Sequence, residues 1–315
     1  MIEVSGLTKK YGEKFAIDDV SFKVGEGEVV GLLGPNGAGK STTMNIITGY
    51  LSATSGNVTV NGDNILTNPI AVKRNIGYLP EQPPLYPDMT VKAYLDFVFN
   101  LRGVKANRAE HIGKICKLVQ IENVYTRLIK NLSKGYRQRV GIAQAIVGDP
   151  PILILDEPTV GLDPKQITEI RDLIANLGRR HTIIVSSHIL SEIQVVAKRV
   201  VIINQGKIIA DDNTENLSRL IAADSRFTVR VAGPREEVAK TLTKIVGIDK
   251  IIDEGIREGG TNDFLVIPRP RIDVRREVFN KIAERKWAII SMVNNQMSLE
   301  DVFLKLIETN ANEED

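Results

Sequence analysis

Gly34-Pro35-Asn36-Gly37-Ala38-Gly39-Lys40-Ser41-Thr42 combines glycines, a lysine and hydroxyls in the spacing G-x-x-x-x-G-K-S/T. The chemistry of such a loop is anion binding. Its glycines let successive backbone N–H groups turn inward and form a nest for phosphate oxygens. A helix that follows points its positive end at the same place. Lys40 would reach the β- and γ-phosphates of ATP or GTP, and Ser41 would offer its hydroxyl to Mg2+. The flanks suit this use: Glu28 to Leu33 is an apolar run of strand length, and Thr42 to Ile47 reads as the start of a helix. A glycine-rich turn with a chance lysine would not require that context. The loop predicts nucleoside triphosphate binding and is silent on what the energy drives.

A second cluster is carboxylate chemistry. Pro151-Ile152-Leu153-Ile154-Leu155 is an apolar strand that ends in Asp156-Glu157-Pro158. A strand of this composition is buried on both faces of a parallel sheet, and ligands gather at its carboxyl end. Asp156 there would help hold Mg2+, directly or through water, and Glu157 could orient and deprotonate an attacking water. Two surface acids on a turn are the bland alternative, which the phosphate loop upstream disfavours.

Between these clusters lies Asn131-Leu132-Ser133-Lys134-Gly135-Tyr136-Arg137-Gln138-Arg139-Val140-Gly141-Ile142-Ala143. By residue type it is a helix capped by Ser133. With its neighbours it resembles the signature of the ATP-binding cassette (ABC) ATPases, which usually reads Leu-Ser-Gly-Gly-Gln before a basic helix. The resemblance implies that Ser133 and Gly135 approach the γ-phosphate bound to an opposite subunit. It further implies that Tyr11, in Tyr11-Gly12, stacks on adenine. Asp163, in Gly161-Leu162-Asp163, would belong to the loop that crosses the dimer seam. His188, after the apolar strand Thr182 to Ser187, resembles the switch histidine that can meet the γ-phosphate and Glu157. His111 and His181 read as structural.

Two departures from the family pattern matter. Lys134 and Tyr136 replace the first glycine and the glutamine of the signature. In Ile76-Gly77-Tyr78-Leu79-Pro80-Glu81-Gln82-Pro83-Pro84-Leu85-Tyr86-Pro87, which resembles the family's Q-loop, the glutamine position holds Glu81 by spacing from Leu85-Tyr86-Pro87. A carboxylate can still ligate Mg2+. Glu81 rather than Gln82 is therefore the expected functional residue.

The elements that must position these groups form an α/β architecture. The expectation is a P-loop NTPase of the ABC ATPase type over residues 1–215, with an N-terminal antiparallel β subdomain and a helical subdomain at about 90–150. In the helical part, Tyr94, Phe97, Val98 and Leu101 share one stripe, and Ile112, Ile115, Cys116 and Val119 another. Residues 222–309 alternate as strand, helix, strand, strand, helix, strand and a last helix at Leu299 to Ile307, the order of a small ferredoxin-like α+β domain. Residues 310–315 read as a disordered tail. C-terminal extensions of this kind resemble those of ATPases serving ABC-2 exporters, down to Ser298-Leu299-Glu300-Asp301-Val302-Phe303.

Composition bounds the rest. The chain has 315 residues, 43 % of them hydrophobic, enough for a large core and a smaller domain. Net charge is +2, which gives no support to nucleic acid as a partner. The single cysteine, Cys116, excludes an internal disulfide and fits a reducing cytosol. No run reaches the roughly 18 apolar residues of a membrane helix, and the N-terminus lacks a signal-peptide pattern. The resemblance thus implies an ATP- and Mg2+-dependent subunit working as a homodimer or heterodimer. It would act at the cytoplasmic face of the cell membrane and power an ABC-2 exporter through separate permease subunits. The alternatives are a soluble ABC ATPase acting on nucleic acid or ribosomes, and a regulatory module with little turnover.

Overall fold

The computed structural model describes residues 2–216, 226–269 and 272–295, and the chain falls into two units, residues 1–214 and 215–315. The first is organised by a six-stranded sheet whose inner strands are apolar on both faces. Strands β3 (Val29–Leu33), β6 (Ile76–Leu79), β7 (Ile152–Leu155), β8 (Thr182–Ser187) and β9 (Arg199–Asn204) run parallel, and β10 (Lys207–Asn213) pairs antiparallel with β9. The order is β10-β9-β3-β8-β7-β6. Every residue of β7, an unbroken Ile/Leu run, and of β8, built on Ile183-Ile184-Val185, is buried, as strands covered on both faces of a parallel sheet are. The parallel register brings the carboxyl ends of β3, β6, β7 and β8 to one edge.

A second sheet, ordered β2-β1-β4-β5, is antiparallel and built from β1 (Ile2–Tyr11), β2 (Lys14–Val24), β4 (Ser55–Val60) and β5 (Asp63–Asn64). Helix α1 (Lys40–Ile47) lies between the sheets. Its Met44, Ile46 and Ile47 share one core with Leu7, Ile17 and Val20 on one side and Ile154, Ile184 and Val201 on the other. This burial on two sides holds the start of α1, and with it the phosphate loop, in a fixed direction.

The helical region comprises α3 (Val91–Leu101), α4 (Arg108–Leu118) and α5 (Lys134–Ile146), after α2 (Pro69–Asn75). Thr90 caps α3 and Asn107 caps α4, each accepting from the N–H three residues on. The α4 stripe of Ile112, Ile115, Cys116 and Val119 is buried as expected. The α3 stripe is the expected one only at Tyr94 and Val98. Val91, Tyr94, Leu95, Val98 and Phe99 are buried, whereas Phe97 and Leu101 are 40 % and 73 % exposed. Both stripes satisfy a helical period, and packing against α4 and α5 selects the former. His111, in α4, accepts from Gly148 N–H at 3.0 Å and ties a loop to that helix, and His181 Nδ1 lies 2.8 Å from Pro150 O, joining the loops that precede β8 and β7. Helices α6 (Pro164–Leu177) and α7 (Leu190–Val196) complete the unit.

In the second unit, β11 (Phe227–Ala232), the helix Arg235–Thr243, β12 (Ile248–Ile256), β13 (Asn262–Pro268), the helix Arg275–Glu284 and β14 (Ala288–Asn294) follow in that order. The antiparallel sheet is ordered β12-β13-β11-β14, which is the ferredoxin-like topology. Inward residues of alternating strands, Phe227, Val229, Phe264 and Val266, pack on Val238, Leu242, Val278 and Ile282 of the helices. Beside them Asp263 is buried and bidentate to Arg230, at 2.7 and 2.9 Å, with Arg257 Nε at 3.1 Å. The expected helix at Leu299 to Ile307, the segment Ser298 to Phe303 and the tail 310–315 lie outside the described residues.

Candidate active site

The phosphate loop leaves β3 at Leu33 and enters α1 at Lys40. Its last glycine, Gly39, caps the helix at φ 111°. A Cβ there would stand 2.7 Å from Ala16 O and Ile17 Cγ2, so both the backbone and the space demand glycine. Lys40 is buried. Its Nζ donates to Gly34 O at 2.7 Å and Pro35 O at 3.2 Å, and ion-pairs with Glu157 Oε1 at 3.3 Å.

Asp156 and Glu157 follow β7 at the same sheet edge, and both are buried. Asp156 N–H donates to Leu79 O at 2.8 Å, which fixes the end of β7 to the end of β6, just before Glu81. Ser186, in β8, bridges the pair: its Oγ donates to Asp156 Oδ1 at 2.6 Å and accepts from Glu157 N–H at 2.8 Å. Burial pushes the Asp156 carboxyl above the usual carboxylate range. Hydroxyls of Ser186 and Ser41 and the charge of Lys40 pull it down, while Glu157 pushes it up. Glu157 has φ 46°, a left-handed conformation that a non-glycine residue adopts at a cost. Its Oε2 meets His188 Nδ1 at 3.1 Å, and its Oε1 is buried without a hydrogen bond beyond the Lys40 ion pair.

These groups open onto a cleft of about 310 Å³ lined by Asn36, Gly37, Ala38, Gly39, Lys40, Ser41, Thr42, Glu81, Glu157 and His188, with Ala16 and Val160 at its sides. Glu81 lines it and Gln82 does not. Gly34, Pro35 and Asp156 adjoin lining residues without lining it themselves, and four further expected residues belong to other parts of the fold. Tyr11 is exposed at the tip of the β1–β2 hairpin, with Lys9 Nζ 5.2 Å from its ring centroid. Ser133 caps α5, accepting from Tyr136 N–H at 3.4 Å. Gly135 faces α6 so closely that a Cβ would be 2.6 Å from Gln166 Oε1. Asp163 caps α6, accepting from Gln166 N–H at 2.9 Å. Ser186, Thr159 and Glu192 join the site's framework without having been singled out by motif. Ser186 ends the apolar β8 strand, and its role rests on hydrogen bonds to distant residues that no motif marks.

The residue set suits Mg2+. The Ser41 hydroxyl and the Asp156 carboxylate interact, Glu81 lines the same cleft as Ser41, and all supply hard oxygens. Among the described residues no group of three or more His, Cys, Asp or Glu could hold a metal alone. A magnesium ion here would therefore take its remaining ligands from phosphate oxygens and water.

Residues 17–160 match the family model described as ABC transporter. The bacitracin transport ATP-binding protein BcrA of Bacillus licheniformis is 36 % identical over 98 % of this chain and 97 % of its own length. The lantibiotic transport ATP-binding protein SrtF of Streptococcus pyogenes is 38 % identical over 73 % of this chain and its full length. Among solved structures, a dimeric post-hydrolysis form of the ATP-binding cassette MJ0796 bound to ADP and Pi is 26 % identical. It superposes with a TM-score of 0.63 over 68 % of this chain and 99 % of that one.

Proposed function

Because the chain belongs to the ATP-binding proteins of ABC transporters, we propose that it hydrolyses ATP to power an ABC-2 exporter through separate membrane subunits. The observation that carries this is the placement of Glu157 between Lys40 and His188 at the mouth of the phosphate loop. The loop amides and Lys40 hold the β- and γ-phosphates of ATP and stabilise charge that develops on them. Glu157 takes a proton from water as its oxygen attacks the γ-phosphorus and the bond to the bridging oxygen breaks, leaving ADP and phosphate. His188 holds the Glu157 carboxylate in place. Ser41, Asp156 and Glu81 would hold Mg2+, whose charge offsets that of the phosphates.

Two copies, alike or different, close over two nucleotides, with Ser133 and Gly135 of each completing the cleft of the other and Asp163 at the seam. Tyr11 stacks on adenine. The exposed rings of Tyr86 and Phe97, 5.6 Å apart, with Leu101 one turn further along α3 also exposed, support a docking surface for a permease subunit. Among the described residues no helix is long and apolar enough to cross a membrane. The subunit acts at the cytoplasmic face through its permease, and residues 222–309 serve it as an accessory domain.

The test is a pull-down of tagged Glu157→Gln protein with ATP and Mg2+ from detergent-solubilised membranes of its source, read by mass spectrometry. A polytopic membrane protein is the expected partner. Ribosomes or nucleic acid in its place would move the chain to the non-transport ABC ATPases.

A further inference from the structure

A third carboxylate joins the loop carrying Glu157 to the loop carrying His188. Thr159 Oγ1 donates to Glu192 Oε2 at 2.6 Å, and Ser187 Oγ donates to the same oxygen at 3.1 Å. Both hydroxyl residues are buried. Ser187 Oγ also accepts from Ile189 N–H at 3.0 Å, so one hydroxyl pins the backbone on either side of His188. Thr159 lies two residues beyond Glu157, and its carbonyl accepts from Leu162 N–H at 3.2 Å in the turn that leads to Asp163. Glu192 sits in the first turn of α7, a helix anchored against β3, where Ile193 fills the space over Gly31. An ionised carboxylate only accepts, and hydrogen bonds to it are stronger than neutral ones, so two hydroxyl donors on one oxygen make a firm joint.

We infer that Glu192 is a positioning residue for ATP hydrolysis, an inference that rests on the roles proposed above for Glu157 and His188. Its carboxylate is bonded to Thr159 and Ser187, which flank the cleft residues rather than line the cleft. It fixes the segment that presents His188 Nδ1 to Glu157 Oε2, and it ties that segment to the turn before Asp163. Movement of that turn reaches His188 through Thr159, Glu192 and Ser187. Hydrolysis depends on where Glu157 and His188 stand to within a fraction of an ångström, whereas ATP affinity depends on the phosphate loop, which this joint does not touch.

The experiment is steady-state ATPase kinetics on the full chain for wild type, Glu157→Gln, Glu192→Ala, Glu192→Gln, Thr159→Val and the Glu192→Ala/Thr159→Val double variant. Expected for Glu192→Ala is a fall in kcat of about 10- to 100-fold, with KM for ATP within about twofold. Glu192→Gln keeps an acceptor oxygen and recovers most of the rate. Thr159→Val, which preserves shape, lowers kcat in the same direction, and the double variant is no slower than Glu192→Ala alone. Wild-type kcat in both Glu192→Ala and Thr159→Val overturns the inference, as do losses that multiply in the double variant. If Glu157→Gln abolishes turnover while the Glu192 variants match wild type, only this inference falls. If wild type itself lacks turnover, the proposed function falls with it.

Discussion

Glu157 divides its carboxylate oxygens between Lys40 and His188, and a backbone in the left-handed region aims it. An amide of the same shape keeps one acceptor oxygen and loses both the charge that pairs with Lys40 and the basicity. Glu157→Gln is therefore expected to bind ATP like wild type and to hydrolyse it at least about 100-fold more slowly. Equilibrium nucleotide binding and phosphate release check the two halves, and unchanged turnover would place the base elsewhere. Glu81 lines the cleft and Gln82 does not. Glu81→Ala should lower ATPase activity and raise the Mg2+ concentration needed for half-maximal rate, with Gln82→Ala near wild type. The reverse order of effects would reassign the metal contact. Lys40, Asp156 and Glu157 were legible in the sequence because a motif fixes both residue type and flanking element. Ser186 was not, because its meaning lies in hydrogen bonds to Asp156 and Glu157, about thirty positions away, and a serine at a strand end carries no mark of that pairing.

Elements show the same division. Parallel strands β7 and β8 could be read from unbroken apolar runs, since only burial on both faces allows them. Helix α3 could be placed but not oriented, because Phe97 and Leu101 fit one stripe as well as Val91 and Leu95 fit another, and the choice belongs to neighbouring helices. In α5, Arg139 belongs to a segment whose sequence reads as a basic helix, yet it is buried, donating to Val119 O at 2.9 Å and pairing with Glu169. The alternation of β11 and β13 made the second unit's order readable, but not the burial of Asp263. There the Arg230 guanidinium, with Arg257 beside it, holds the carboxyl below the usual carboxylate range. A carboxyl lowered by folding stabilises above its unfolded value and loses that contribution as pH falls through the folded value. Asp263→Asn should cost about 1.5–3 kcal/mol at neutral pH. Its deficit in urea unfolding should shrink as pH falls below the ordinary carboxylate range. A deficit independent of pH would mean that shape rather than charge matters at this position.

On the scale of the molecule, the order of the motifs along the chain was enough to name the family, because phosphate loop, signature and acidic strand follow one another as the resemblance requires. What the order did not convey is how the signature meets its own chain. Lys134 reaches the turn before Asp163, and even a methyl on Gly161 would collide with its ammonium. That cation sits at the helix end proposed to face a partner's nucleotide. Lys134→Gly is expected to weaken ATP-dependent dimerisation of a Glu157→Gln background several-fold, measured by analytical ultracentrifugation with and without ATP. Equal dimer populations would remove Lys134 from the interface.

Cys116 has its own consequence. It is the only cysteine in the chain, it is packed into the α4 stripe, and burial pushes its thiol up to about 11. Burial both covers the sulfur and disfavours the thiolate that alkylating reagents attack. The unaltered chain is therefore expected to stay unlabelled by maleimide in the folded state, which mass spectrometry checks, and to serve as the background for site-directed labelling. A cysteine introduced at Ser133 or beside Asp163 would report alone on the distance between two subunits through the ATP cycle.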